Sequence, residues 1–145
     1  MHTTVRDILK AKSGGVWSIG PEASVLDALR LMEEKDVGAL LVVEEGRLMG
    51  IFSERDYARK GILRGRASKD TPVRDVMTAK VFYVTPDRNV EECLALMTEK
   101  RVRHLPVMEE GRILGVVSIG DAGKAMIADL EFAVQNLESY ITGGR

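Results

Sequence analysis

One cysteine, two histidines, four prolines and seven aromatic residues among 145 leave this chain poor in the side chains that specialised chemistry draws on. Cys93, alone, cannot form an intrachain disulfide, which fits a reducing compartment. His2 and His104 are the only histidines, so His and Cys cannot assemble a metal cluster. The longest apolar run, Val37 to Val43, is far too short to span a bilayer. The opening MHTTVRDILKAKSGG has no signal-peptide apolar stretch. Charge of either sign is not in excess: 21 basic residues face 22 acidic ones, for a net charge of −1. Balance of that kind gives no general pull toward nucleic acid or an anionic membrane. No nucleophile–base pair, no GxxxxGK[ST] loop and no glycine-rich dinucleotide fingerprint is present, so an enzyme is not expected. What remains is a globular mixture, 45% hydrophobic and 30% charged, expected to be soluble and cytoplasmic.

The chain repeats itself. With Pro21 set on Pro86, a constant offset of 65 residues holds without a gap to Asp56 and Asp121. PEASVLDALRLMEEKDVGALLVVEEGRLMGIFSERD then lies on PDRNVEECLALMTEKRVRHLPVMEEGRILGVVSIGD. Upstream, VRDIL at Val5 matches VRDVM at Val73 with an offset of 68, so the first copy carries three extra residues in its Lys12–Gly15 loop. Both copies parse alike. A short helix is expected first, capped by Thr4 and Asp7 in one copy and preceded by Pro72 in the other. A strand follows at Val16–Ile19 or Val81–Val84. Ser24 or Asn89, with an acid three residues on, marks the next helix start. Val25, Ala28, Leu29 and Met32, and again Val90, Cys93, Leu94 and Met97, form its apolar stripe. An apolar strand, a Glu-Glu-Gly-Arg turn whose glycine permits positive φ, and a second strand complete the pattern. A last helix starts at Ser53 or Ser118.

The reading is an α/β (α+β) fold of two β-α-β-β-α repeats, 4–62 and 72–128, with a C-terminal helical extension at 129–145. Each repeat is too small to bury its apolar strands well, so a pseudo-twofold pair packed as one module is expected.

The tandem arrangement, the double signature MGIFSERD and LGVVSIGD, and RHLPV before the second hairpin resemble the cystathionine β-synthase-type (CBS) domain pair. The resemblance spans nearly the whole chain and implies an adenine-nucleotide site in each repeat. In the second site it implies Lys80, Val81 and Tyr83 around the base, with Leu105 and Pro106 as apolar wall. Ser118 and Asp121 would take the sugar, and Arg103 and His104 the phosphate. In the first it implies Val16, Ser53 and Asp56, with Arg55, Arg59 and Lys60 nearby. The residue chemistry agrees. A serine at a strand-to-helix junction sits where free N–H groups favour an anion. An aspartate one turn in can accept two hydrogen bonds from a cis-diol. Arg103 offers a planar fork to phosphate oxygens.

Plainer readings stand beside these. Ser-x-x-Asp is also a helix capping box. His104 could be a structural histidine, and Cys93, Met32 and Met97 are core by spacing. The basic stretch Arg55, Arg59, Lys60, Arg64, Arg66 and Lys69 reads as a solvated face or as a contact for polyphosphate or a partner protein. Trp17 is either a surface aromatic at an interface or part of a ligand wall. One departure matters: the first copy has Gly38-Ala39-Leu40-Leu41 where the second has Arg103-His104-Leu105-Pro106, so two equal sites are not expected.

The expected function is a regulatory module that binds AMP, ADP, ATP or an NAD-type ligand, not as a catalytic cofactor, and acts through a regulated protein. A ligand-independent dimerisation scaffold is the alternative. Ile127, Leu130, Val134, Leu137 and Ile141, spaced 3, 4, 3, 4, form a narrow seam that predicts a homodimer.

Overall fold

The computed structural model describes residues 2–12 and 15–141. Along the chain run α1 (Val5–Ala11), β1 (Ser18–Ile19), α2 (Val25–Lys35), β2 (Ala39–Glu44), β3 (Arg47–Ser53) and α3 (Glu54–Asp56). A π-helical turn, Tyr57–Gly61, a 3-10 turn, Ile62–Arg64, and a second 3-10 turn, Val73–Asp75, follow. Then come α4 (Val90–Lys100), β4 (His104–Glu109), β5 (Arg112–Ser118) and α5 (Ile119–Ile141). Contacts divide these into two units, one of Gly15–Phe82 and one of Met1–Gly14 with Tyr83–Arg145. The helix that opens the first repeat thus belongs to the unit of the second hairpin, and the Val73 turn stays with the first hairpin.

In the Gly15–Phe82 unit, β1 pairs parallel to β2, which pairs antiparallel to β3. Ser24 caps α2 by accepting from the Asp27 N–H, and Asp36 ends it in the left-handed region. Val25, Ala28 and Met32 turn inward and meet Leu40, Val42, Phe52, Val73 and Val76 in one core. Trp17 packs against that cluster and carries the Lys35 ammonium 4.4 Å from its ring centre. Trp17 is thus partly buried, with one side on the core and a cation–π contact to Lys35.

In the other unit, β4 and β5 form the equivalent hairpin, with the register shift between Val107 and Met108 matching that between Val42 and Val43. Asn89 and Glu92 form the reciprocal capping box of α4, and Thr4 and Asp7 that of α1. Val90, Cys93 and Met97 are buried on one face of α4, as are Val5 and Ile8 on α1. Backbone bonds from Val5 to Arg88 and from Arg6 to Pro86 fasten the start of α1 beside α4. In both hairpins the turn residues have positive φ, Glu45 and Gly46 in one and Glu110 and Gly111 in the other. Two consecutive positive values are the mirror-image geometry that suits strand twist.

Three expectations need correction. The strand expected at Val81–Val84 reduces to one bridge, Val84 with Val107. Its counterpart in the first copy shrinks to Ser18–Ile19. The cause in the second copy is Pro106: it stands where Leu41 gives its N–H to the Trp17 carbonyl, and proline has none to give. The helix expected at Val73 is a 3-10 turn, because Pro72 occupies the cap position and offers no capping side chain. The last helices are also unequal, since α3 passes into a π turn after three residues while α5 runs for 23. Of the inserted Lys12–Gly15 loop, residues 13 and 14 lie outside the described residues, as do 142–145 of the helical extension.

Candidate functional site

Each signature ends where a strand becomes a helix, and the two junctions are built alike. At the β5–α5 junction the Asp121 N–H donates to Ser118 Oγ at 3.0 Å, and the Ser118 N–H donates back to Asp121 Oδ2 at 2.9 Å. The Ile119 N–H donates to the Arg103 carbonyl at 2.8 Å, tying the residue before β4 to the start of α5. At the β3–α3 junction Ser53 and Asp56 repeat the reciprocal pair, and the Glu54 N–H donates to the Gly38 carbonyl. The capping-box reading of Ser-x-x-Asp is therefore realised in both copies.

What holds each carboxylate from the far side differs. Lys12, just past α1, reaches Asp121 Oδ2 at 2.9 Å and the Val116 carbonyl at 2.8 Å. Asp56 instead accepts from Thr78 Oγ1 at 2.9 Å on Oδ1, with the Lys60 ammonium 3.5 Å from the same oxygen. Lys60 also donates to the Met77 carbonyl and to Thr78 Oγ1. Among the described residues, hydrogen bonds engage both oxygens of Asp56 but only Oδ2 of Asp121. The Asp56 side chain keeps 11% of its surface and that of Asp121 keeps 23%. The second junction is the more open one.

The signature glycines explain why these segments can approach. A Cβ on Gly50 would stand 2.7 Å from the Thr78 carbonyl oxygen, and one on Gly115 would stand 2.7 Å from Leu9 Cδ2. Neither glycine is needed for its φ; each is needed because another segment lies against it.

Electrostatics keep Asp121 ionised. Partial burial pushes its carboxyl up, but the Ser118 N–H and the Lys12 ammonium outweigh burial and hold it below the usual carboxylate value. Burial lowers His104, and Lys12 and Arg103 push the same way while Asp121 opposes them. His104 is half-buried and Arg103 exposed at the head of β4. Leu105 and Pro106 are both buried, Leu105 completely.

Tyr83 is 56% exposed and opens the same unit's second segment. Lys80 and Val81, the first exposed and the second half-buried, belong to the end of the Gly15–Phe82 unit. In that unit Val16 is exposed ahead of β1, and Arg55, Arg59 and Lys60 follow Ser53. Lys60 is bonded to the Asp56 pair. Lys12 and Thr78 were missed by sequence reasoning; nothing in the repeat pattern marks them, because each serves a signature in the other copy. Among the described residues no group of three His, Cys, Asp or Glu side chains could hold a metal ion. Among them, too, no helix is long and apolar enough to cross a membrane.

The CBS domain profile matches residues 5–62 and again 73–128. The chain belongs to the CBS domain family. The CBS domain-containing protein CBSX3 of Arabidopsis thaliana, a mitochondrial protein, is 42% identical over 151 residues, covering 98% of this chain and 73% of its own. A solved protein with CBS domains from Burkholderia ambifaria MC40-6, called a signal-transduction protein, is 52% identical with a TM-score of 0.84. That match covers 88% of this chain and 96% of the other. A hexameric CBS-CP12 protein of bloom-forming cyanobacteria is 30% identical with a TM-score of 0.74, over 83% and 70% of the two chains. CBS pair proteins are in general regulatory modules, and CBS domains in general bind adenosine-containing ligands.

Proposed function

We propose that this chain is a regulatory module that binds an adenine nucleotide (AMP, ADP, ATP or an NAD-type ligand) at the β5–α5 junction and acts through a separate regulated protein. The observation that carries the reading is the Ser118–Asp121 pair at the head of a 23-residue helix, with Lys12 on the carboxylate and with His104 under the electrostatic influence of Lys12, Asp121 and Arg103. A carboxylate suits a ribose diol, and the cations and the helix N-terminus suit phosphate. Tyr83 and Pro106 remain candidates for the base. Leu105, expected as apolar wall beside Pro106, is completely buried.

The test compares AMP with its 2′,3′-dideoxy analogue. Hydrogen bonds to a charged group contribute about 1.5–3 kcal/mol. Asp121→Ala is expected to weaken AMP binding at least tenfold, since about 1.4 kcal/mol is one decade. It should leave the analogue, which never made those bonds, little changed. Arg103→Ala should cost more for ATP than for AMP and lose its effect in high salt. An AMP-to-analogue ratio unchanged by Asp121→Ala would remove the sugar from this site. A thermal scan in which no adenine nucleotide stabilises the wild type would favour the ligand-independent scaffold instead.

The two junctions are read as unequal, with the second filled first. Two chemical differences separate them: the first lacks the Arg103–His104–Pro106 sequence, and its Asp56 is buried with both oxygens hydrogen-bonded. The module is further read as a homodimer joined through α5. Ile127, Leu130, Val134, Leu137 and Ile141 are each more than half exposed on that helix. An apolar groove lined by Ile127, Leu130 and Val134 is edged by Glu131, Gln135 and Glu138. A stripe this long left open to water is the usual mark of an association surface.

A further inference from the structure

Lys12 brings a cation from the end of α1 onto the Asp121 carboxylate, whereas at the first junction the Thr78 hydroxyl bonds Asp56 and the ammonium nearby is that of Lys60, 3.5 Å away and four residues along from Asp56. Its ammonium makes two short contacts, with Asp121 Oδ2 and with the Val116 carbonyl. Oδ2 already accepts from the Ser118 N–H, so Lys12 takes the remaining acceptor site on that oxygen, the one a diol bonding both carboxylate oxygens would need beside Oδ1. The ion pair is half exposed, with 39% of the Lys12 side chain and 23% of that of Asp121 open to water. Pairs of this kind are weak enough to be replaced by a ligand.

The backbone around Lys12 gives such a replacement a route outward. The start of α1 is fastened by the Val5 and Arg6 backbone bonds and by Thr3, whose N–H and hydroxyl both reach Asp129. Its end rests on Leu9 over Gly115 and on Lys12. Lys12 is also the C-cap residue, and its N–H donates to the Ile8 carbonyl. A freed Lys12 therefore loosens the last turn of α1 and leaves the first turn in place.

We infer that Lys12 is a ligand-displaced clasp: its ammonium holds the Asp121 carboxylate until a ribose takes it, so filling the site and releasing the end of α1 are one event. The inference rests on the nucleotide reading above and adds its means of regulation. It makes Lys12 an internal competitor for the sugar. Adenosine isolates that competition, because it has the diol and no phosphate that a lysine could help to bind.

The experiment measures AMP and adenosine binding by calorimetry to the wild type, to Lys12→Met, which keeps the aliphatic stem, and to Lys12→Gln. Melting curves confirm that both variants fold. Both are expected to bind adenosine about two- to fivefold more tightly than the wild type, the range spanned by exposed ion pairs. Salt should strengthen adenosine binding to the wild type by screening the clasp, and should leave the variants unchanged. Hydrogen exchange over residues 8–12 should rise when the wild type binds adenosine and should already be high in the empty variants. Adenosine affinity that is unchanged, lowered or undetectable in the variants overturns the clasp. Failure of AMP to bind the wild type overturns the nucleotide reading, and the clasp with it.

Discussion

Replacing Gly50 or Gly115 by alanine adds the same methyl group at equivalent places, yet the two changes should differ in cost. At Gly50 the new Cβ would meet the Thr78 carbonyl oxygen at 2.7 Å and Met77 Sδ at 2.8 Å. Thr78 cannot give way cheaply, because its N–H and carbonyl are both bonded to Ile51, at 2.8 and 2.9 Å. Overpacking of this kind costs about 1–3 kcal/mol. The smaller entropy loss of alanine returns about 0.5–1 kcal/mol, as neither glycine has a left-handed φ. A net loss of about 1–2 kcal/mol is expected for Gly50→Ala. At about this chain length each kcal/mol moves Tm by roughly 2–4 °C. At Gly115 the clash is with Leu9 Cδ2, the end of a half-buried side chain that can rotate aside. Gly115→Ala should therefore change stability by less than about 1 kcal/mol, since its overpacking is relieved. Urea titrations of the two variants and the wild type measure both values. A Gly115→Ala loss equal to or larger than that of Gly50→Ala would refute the reasoning that backbone resists where a side chain yields.

His104 supplies a pH test. Burial, with Lys12 and Arg103, holds its pKa below 6.5, so the unfolded chain takes up the proton first as pH falls. Stability should be fully present above about pH 6.5, an ordinary histidine value, and decline as pH drops toward the folded value; His104→Gln should flatten that decline in urea titrations at stepped pH, and an unaltered slope would remove His104 as its source. Cys93 is pushed up to about 11 by burial, so the native thiol should react with a disulfide reagent near neutral pH only as fast as the protein opens. Prompt stoichiometric labelling of the folded chain would contradict its core position. Val134→Asp places a charge in the middle of the α5 stripe and should give a monomer in sedimentation without loss of the folded CD spectrum; a variant that sediments like the wild type would exclude α5 as the joining surface.

The elements that could be read from the sequence are those specified by short-range chemistry. The Glu-Gly turns, the Asn89 and Thr4 caps and the inward faces of α2 and α4 each depend on residues a few positions apart. The CBS signature was legible because it occurs twice in register. Less was visible where one copy answers to the other. VRDIL and VRDVM are so alike that sequence gives no sign of which hairpin each will join, and Lys12 and Thr78 lie just beyond those segments. The single-residue bridge at Val84 was equally hidden, because the apolar pattern of 81–84 suits a strand while the missing N–H sits at Pro106. For the candidate site, the Ser118–Asp121 pair and the neighbouring Arg103 and His104 were named through the resemblance to the CBS pair, with Ser-x-x-Asp spacing alone marking a helix start. The partners that already occupy the carboxylate were not.

The placement of α1 also sets an order of events during synthesis. Val5–Ala11 is made ahead of the other elements described here, but the strand it rests on, Arg112–Ser118, follows all the other strands among them. At ordinary elongation rates of about 5–20 residues per second, α1 waits roughly 5–20 s for that strand. The Gly15–Phe82 unit, by contrast, holds all of its own pieces in one continuous stretch and can close while the rest is still being made. The buried faces of Val5 and Ile8 are then exposed through the interval, with no native surface to receive them. A seven-residue helix is too short to persist alone in water. The leading segment is therefore an unstructured, partly apolar strand end for most of the chain's manufacture, and it gains its helix only when the final hairpin arrives.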